Sequence, residues 1–337
     1  MIAPGMVAFD HVDRMTDHRA LFEHADGPVR REGHGYCVDD NARMLVVTSR
    51  ETDKGAAHRL GRLALAFVLD AQGADGRTRN RMDRYGRWTD HLSTDDCWGR
   101  SLWGLGVTAS HHGDPAVRRR ARVGFDNGVR QRSPWRRAMA FAALGAADVV
   151  SSNDVDHGPA RALLIAAIDV IGPITSGPWR WPEPRLAYAN AALAEALIAA
   201  GAALRNDPAL DQGLTMLSWL LELETSRGHL SVAAVGGRGP LDSGPMFDQQ
   251  PIEVAAMADA CWRAYTVTGE RSWWRGVTAA ANWFAGNNDT GLPMYDDVSG
   301  GGFDGLQPEG VNLNQGAEST LALISTMQRA RSFAPSP

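Results

Sequence analysis

RLAYANAALAEALIAAG, residues 185–201, runs Ala, Leu and Ile on every side once past its first few positions. A helix with no polar face has no side to give to water, so it must be buried all round. Five other stretches read the same way: 39–50 (DDNARMLVVTSR), 95–110 (DDCWGRSLWGLGVTAS), 134–150 (PWRRAMAFAALGAADVV), 250–266 (QPIEVAAMADACWRAYT) and 313–330 (LNQGAESTLALISTMQRA). Between them lie amphipathic stretches at 54–72, 114–131, 157–172, 208–224 and 270–286. A helix with one apolar stripe belongs on the outside of a core. A twelfth helix at 13–25 (DRMTDHRALFEHA) completes the set and is expected beside the last. Sustained β-type alternation is missing.

Buried and amphipathic helices in alternation predict an all-α fold, an (α/α)6 toroid of six inner and six outer helices. A superhelical solenoid is the rival. Residues 1–337 are expected to form one domain, with a frayed tail at 331–337. The links after inner helices are short, ETD at 51–53 and HHGD at 111–114. The links before them are long: 73–94, 173–184, 225–249 and 287–312. The long loops therefore gather on one face, where the inner helices begin. Long loops inside a compact domain are usually functional, which places the site there.

Composition narrows the class. The chain has 337 residues, 34 basic and 39 acidic, for a net charge of -5. That leaves no basic excess for a general nucleic-acid surface. No apolar run is long enough to span a membrane. The start lacks a secretory signal, and Cys37, Cys97 and Cys261 stand far apart. No metal or redox spacing results, and a reducing cytoplasm is expected. No cofactor motif appears, since the glycines of SGGGFDG (299–305) do not open a phosphate loop. There are 11 Trp against 5 Tyr. Trp103, Trp219, Trp262, Trp273, Trp274 and Trp283 fall inside helices, whereas Trp88, Trp98, Trp135, Trp179 and Trp181 fall at the long-loop face.

The polar residues of the inner helices collect at their starts: Asp39, Asp40 and Arg43; Asp95, Asp96, Trp98 and Arg100; Tyr188 and Asn190; Gln250 and Glu253; Asn314 and Glu318. The first Asp of each pair is a natural N-cap, which frees Asp40 and Asp96 for the cavity. Glu253 and Glu318 lie inside otherwise apolar helices, where a carboxylate must be paired or face water. The alternative for both is a buried pair with Arg43 or Arg100. Trp179, Trp181 and Glu183 in WRWPEP read as a sugar platform on the rim or as a packed lid. His34 reads as a hydrogen-bond donor. The Arg-rich loop 77–88 is a solvated loop or a binder of substrate anions.

HGYCVDDNAR, DDCWGRSLWGLG, WRWPEPRLAYANAALAEALIAAG, DQQPIEVAAMADACWRAY and GVNLNQGAESTLA together resemble a bacterial family of α/α-toroid domains. Its members occur alone or fused behind glycosyltransferases. The toroid is similar to that of six-hairpin glycosidases and acylglucosamine epimerases. The resemblance covers roughly residues 16–330 and implies the fold, a carbohydrate substrate and a glycosyltransferase partner. It implies no catalytic residue, and the chain has no room for a nucleotide-sugar domain of its own.

The residues favour a glycoside hydrolase acting on an oligo- or polysaccharide. Such chemistry needs one protonated and one ionised carboxyl. Glu253 is the expected acid, Glu318 the second choice, and Asp40 or Asp96 the base. His34, Asp39, Arg43, Asp95, Trp98, Arg100, Trp179, Trp181, Glu183, Tyr188, Asn190, Gln250 and Asn314 are the expected substrate contacts. A sugar epimerase, which wants a histidine base, and a non-catalytic glycan-binding module are the alternatives.

Overall fold

A computed structural model describes residues 8–51, 55–152 and 157–332. Six inner helices form a ring: α2 (Val38–Ser49), α4 (Asp96–His111), α6 (Arg136–Ser151), α8 (Asn190–Leu204), α10 (Pro251–Thr268) and α12 (Ala317–Arg331). Each packs on the next, and α12 packs back on α2. The ring therefore closes, and the solenoid is excluded. Five outer helices follow their inner partners: α3 (Ala56–Ala71), α5 (Pro115–Gly128), α7 (Gly158–Ile171), α9 (Asp207–Thr225) and α11 (Trp274–Phe284). The architecture is the predicted all-α (α/α)6 toroid.

The burial pattern follows the residue pattern. In α8 every residue from Asn190 to Gly201 is buried. In α5 the stripe Val117, Ala121, Gly124 and Phe125 is buried while Arg119 and Arg120 face water. Close ring packing rests on glycine. A Cβ on Gly145 of α6 would strike the Leu102 carbonyl of α4, and one on Gly106 would strike Gly145 itself. Only hydrogen at both positions lets these two backbones touch.

The sixth outer position departs from expectation. Only α1 (Asp10–Arg14) is helical there, although it does pack against α12. Asp17 ends any continuation, because its carboxylate accepts the N–H groups of Arg19 and Ala20 and turns the chain. Residues 15–25 then run as bridged extended chain, with Thr16 opposite Leu21 and Phe22 opposite Tyr36. The inner helix expected from 185 likewise starts later, at Asn190. The frayed tail and the link at 51–53 fall largely outside the described residues.

The long loops lie on the face where inner helices begin. Three short antiparallel pairs stiffen them: β1 (Ala25–Asp26) with β2 (Val29–Arg30), β3 (Tyr36–Cys37) with β4 (Arg81–Met82), and β5 (Gly305–Gln307) with β6 (Gly310–Asn312). The toroid has two mouths. A cavity of about 550 Å³ opens at the loop face, and one of about 660 Å³ opens at the opposite face. Between them the axis is filled by apolar side chains, among them Val46, Phe141, Leu144, Ile252 and Leu321, around a void of only about 30 Å³. None of the helices among the described residues is long and apolar enough to cross a membrane.

Candidate functional site

The loop-face cavity is built from the first turns of inner helices. Outer helices α5 and α9 are capped by Asp114 and Asn206, whose side chains accept N–H groups, and each has a proline in its first turn. The inner helices spend no acid this way. Cys37 precedes α2, and neither Asp39 nor Asp40 caps it. Asp95 precedes α4, but its carboxylate takes the indole N–H of Trp135 instead. The expectation of a capping first aspartate fails at both pairs, which leaves four carboxylates at the start of α2 and α4.

Asp39, Asp40, Arg43, Asp96, Arg100, Tyr188, Gln250, Asn314 and Glu318 line the cavity. All are residues expected from the sequence. Arg43 forks between two acids, donating from Nη1 to Asp40 Oδ1 at 2.5 Å and from Nη2 to Glu318 Oε2. The buried pair foreseen as the alternative for Glu318 therefore exists, with Arg43. Glu318 nevertheless keeps a side chain 38% exposed, against 3% for Asp40. Asp96 accepts the Tyr188 hydroxyl at 2.6 Å. Asp39 accepts from Asn80 at 3.1 Å and faces the Arg100 Nε at 3.6 Å, too far for a hydrogen bond. Arg100 is buried over the Phe141 ring, 4.1 Å from its centroid; its charge is met by Asp39, but its Nε and Nη1 have no hydrogen-bond acceptor among the described residues.

The electrostatics separate these acids. Burial pushes the Asp39 carboxyl above its ordinary range; Arg100 and Arg43 oppose the shift, and Asp96 adds to it. Asp40 is pushed up to about 6, again by burial first, with Arg43 opposing. Its two oxygens are taken by Arg43 and by the Cys37 thiol at 3.0 Å. Asp40 is thus a brace for Arg43.

Eight expected contacts lie outside the cavity lining. Glu253 is buried, and its oxygens accept the backbone N–H groups of Ala189 and Asn190 and the Asn190 amide. It fastens the left-handed turn at Ala189, where φ is 45°, and lies outside the cavity lining. Asn190 is its partner. Glu183 takes a two-pronged bond from Arg137, at 2.6 and 2.8 Å. Trp98 is fully buried with its N–H on the Gly128 carbonyl. Trp181 is also fully buried, stacked on Trp219, and Trp179 meets Trp219 edge-on. These two tryptophans make a packed lid and not a platform. His34 is exposed, its ring edge-on to His24 at 4.9 Å. Asp95 is exposed on the rim.

The sequence reading missed Glu23, His24 and Asp304, all cavity residues on loops; Arg81, from the Arg-rich loop, and Asp248 also line the cavity. Loop residues carry no periodicity, so only the bridge of Phe22 to Tyr36 and the β5–β6 hairpin bring them in. Burial raises the Asp304 carboxyl, while the Ser319 hydroxyl and the Gly316 N–H oppose the shift. The Arg-rich loop resolves into ion pairs: Arg77 with Asp75, Arg81 with Glu23, Arg87 with Asp83. Glu23, Cys37 and Asp40 lie close enough to share a cation. Each is already committed, however: Glu23 to Arg81, Asp40 to Arg43, and the Cys37 thiol, pushed well up by burial, to Asp40.

No family model matches the chain. Its sequence matches no curated protein. Its shape does match solved structures. Cellobiose 2-epimerase from Bacillus thermoamylovorans superposes with a TM-score of 0.69 at 9% identity, over 95% of each chain. Cellobiose 2-epimerase from Spirochaeta thermophila gives 0.67 at 12% identity, over 98% of this chain and 97% of that one. An α-mannanase from Bacteroides thetaiotaomicron gives 0.61 at 9% identity, over 96% and 93%. The chain shares the (α/α)6-toroid fold of these proteins. At such identities the likeness establishes the fold alone.

One buried acid behind the site sets a pH dependence. Glu224, on α9, accepts the Ala233 N–H at 3.1 Å and is pushed up to about 8 by burial, with Glu253 adding to the shift. The folded chain keeps this proton to about pH 8, whereas an unfolded glutamate loses it near 4.5. The folded state is therefore progressively penalised as pH rises from about 4.5 to about 8. Glu224→Gln removes that penalty. The variant should lose less thermal stability than the wild type between pH 5 and pH 8, as followed by circular dichroism melts.

Proposed function

We propose that the chain is a carbohydrate-active enzyme that cleaves glycosidic bonds in the loop-face cavity. One observation carries the reading. Asp96, Asp39 and Glu318 stand at the starts of three consecutive inner helices, α4, α2 and α12, and all three line one open cavity. Glycosidic cleavage needs a protonated carboxyl for the leaving oxygen and an ionised one for water or direct attack. Asp39, raised by burial, is the proton donor; it holds its proton at a pH where an ordinary aspartate has lost it. Glu318, open on one side and steadied by Arg43 on the other, is the ionised partner. Arg100 donates to substrate hydroxyls and Asp96 accepts from them. The glycosyltransferase link implied by the resemblance is then one of substrate: the glycan built by such a partner is what this cavity would accept.

A second reading, sugar epimerisation, is favoured by His24. It lines the cavity beside Glu23, 3.6 Å from its carboxylate, and can shuttle a proton where His34 cannot. One experiment separates the two. Cello-, manno- and malto-oligosaccharides are incubated with the protein in D2O and followed by NMR. New reducing ends without carbon-bound deuterium support cleavage. Deuterium at C2 without new reducing ends supports epimerisation and overturns the first reading.

A further inference from the structure

The rim beside the cavity carries two aromatic side chains that the core does not use. Trp135, just before α6, is 60% exposed, and Tyr188, just before α8, is 43% exposed. Their polar ends are already satisfied. The Trp135 indole N–H donates to Asp95 Oδ1 at 3.1 Å, and the Tyr188 hydroxyl donates to Asp96 Oδ2 at 2.6 Å. Asp95 and Asp96 are consecutive, so the two rings flank the first turn of α4. Tyr188 and Asp96 line the cavity, whereas Trp135 and Asp95 lie one step outside its lining.

A tryptophan so exposed and yet pinned by its N–H is unusual, because burying its face is strongly favourable. Pinning removes rotamer freedom before any ligand arrives, which lowers the cost of binding. The shelf it offers is apolar on the face and acidic at the edge, since Asp95 is exposed and its Oδ2 accepts no hydrogen bond from the described residues. That combination fits a sugar ring, with a face of C–H groups and a rim of hydroxyl donors. It fits an anion poorly, given the carboxylates beside it. Tyr85 and Tyr188 differ from Trp135 in this. Arg84 and Arg87 lie 5.1 and 5.5 Å from the Tyr85 ring centroid, and Arg137 lies 4.9 Å from that of Tyr188.

We infer that Trp135 and Asp95 form an outer sugar-binding subsite, continuous with the cavity through Asp96 and Tyr188, so that the ligand is a glycan chain extending out over the α4–α6 rim. The inference rests on the proposed carbohydrate function. It adds a direction and a minimum length to the substrate. The inner unit sits in the cavity, and a neighbouring unit stacks on Trp135.

Calorimetric titration with the monosaccharides glucose and mannose and with hexasaccharides of the cello, manno and malto series tests it, on the full chain and on Trp135→Ala, Trp135→Phe and Asp95→Asn. Trp135→Ala should weaken hexasaccharide binding about tenfold more than monosaccharide binding. Trp135→Phe, which keeps a ring, should recover part of that difference. Equal effects on both lengths overturn the subsite, and so does a wild type that binds none of the hexasaccharides. Turnover by Glu318→Gln, measured in parallel, keeps the two proposals apart. If Glu318→Gln abolishes turnover and Trp135→Ala shows no length dependence, the subsite falls and the cleavage reading stands. If the length dependence appears while Glu318→Gln turns over normally, the subsite stands and the cleavage reading falls.

Discussion

Asp39→Asn and Glu318→Gln are each expected to lower kcat by about 10²–10⁴, the range that a positioned acid or base contributes. Both changes keep size and shape, so binding should change far less than turnover. Together they should cost little more than either alone, because a bond that lacks its acid gains little from its base. Glu253→Gln supplies the contrast. Glu253 is the acid that the sequence favours, but its oxygens fasten the Ala189–Asn190 turn and lie outside the cavity lining. Its amide variant should lower thermal stability and leave the pH profile of turnover unmoved. The opposite result, loss of turnover in Glu253→Gln and none in Asp39→Asn, would reject the assignment of the acid to Asp39. The pH profile has a worked direction. A proton donor works only while protonated, so kcat/KM should fall on the alkaline side as Asp39 is titrated. Asp39→Asn should remove that limb.

The largest effect on stability is expected at the other mouth. Asp259 of α10 is buried and accepts from Arg50 at 2.8 Å, from Arg329 at 2.5 Å and from the Ser325 hydroxyl at 2.8 Å. The two arginines hold its carboxyl below the ordinary range, against the effect of burial. Asp259→Ala would leave Arg50 and Arg329 facing each other in a buried setting, with Glu195, itself pushed up to about 7 by burial, as the remaining nearby acid. Removing one partner of a buried pair typically costs about 3–5 kcal/mol. A thermal shift of many degrees is expected by scanning calorimetry, with the fold of survivors intact. The sign of the linkage is also fixed. Because the folded value of Asp259 is depressed, its contribution is present above the unfolded value near 3.8 and is lost as pH falls through the lower folded one. Asp259→Asn should reproduce most of the loss at pH 7, since an amide cannot balance two guanidinium charges. A melt unchanged in both variants would show that solvent in the mouth already neutralises the arginines.

How much of this could be read from residues alone depended on range. Whether a stretch such as 185–201 is apolar all round is a local property, and it gave the six inner helices and five of the six outer ones. Loop length is local too, and it put the long loops on one face, where the structure has the cavity lined by Asp39, Asp96 and Glu318. Partner choice is not local. Glu253 and Glu318 both lie in the first turn of neighbouring inner helices. One met the free N–H groups of a left-handed turn at Ala189, and the other met Arg43 and open space. Trp181 and Trp135 were equally plausible rim residues. Trp219, on an outer helix, claimed the first, and Asp95 pinned the second in the open. Nothing within a few residues of either tryptophan encodes that difference. The short α1 was legible in part, since Asp17 is a turn-forming residue in the middle of the stretch taken as helix.

The apolar filling of the axis gives the loop-face cavity a closed floor. A ring of helices open at both ends would let a linear molecule slide through, entering at one mouth and leaving at the other. Here Val46, Phe141, Ile252 and Leu321 leave a gap with room for little more than a water molecule. The well therefore exchanges its contents through a single opening. Whatever is released at the bottom has to back out past whatever is waiting above it, which makes departure and arrival compete for the same passage.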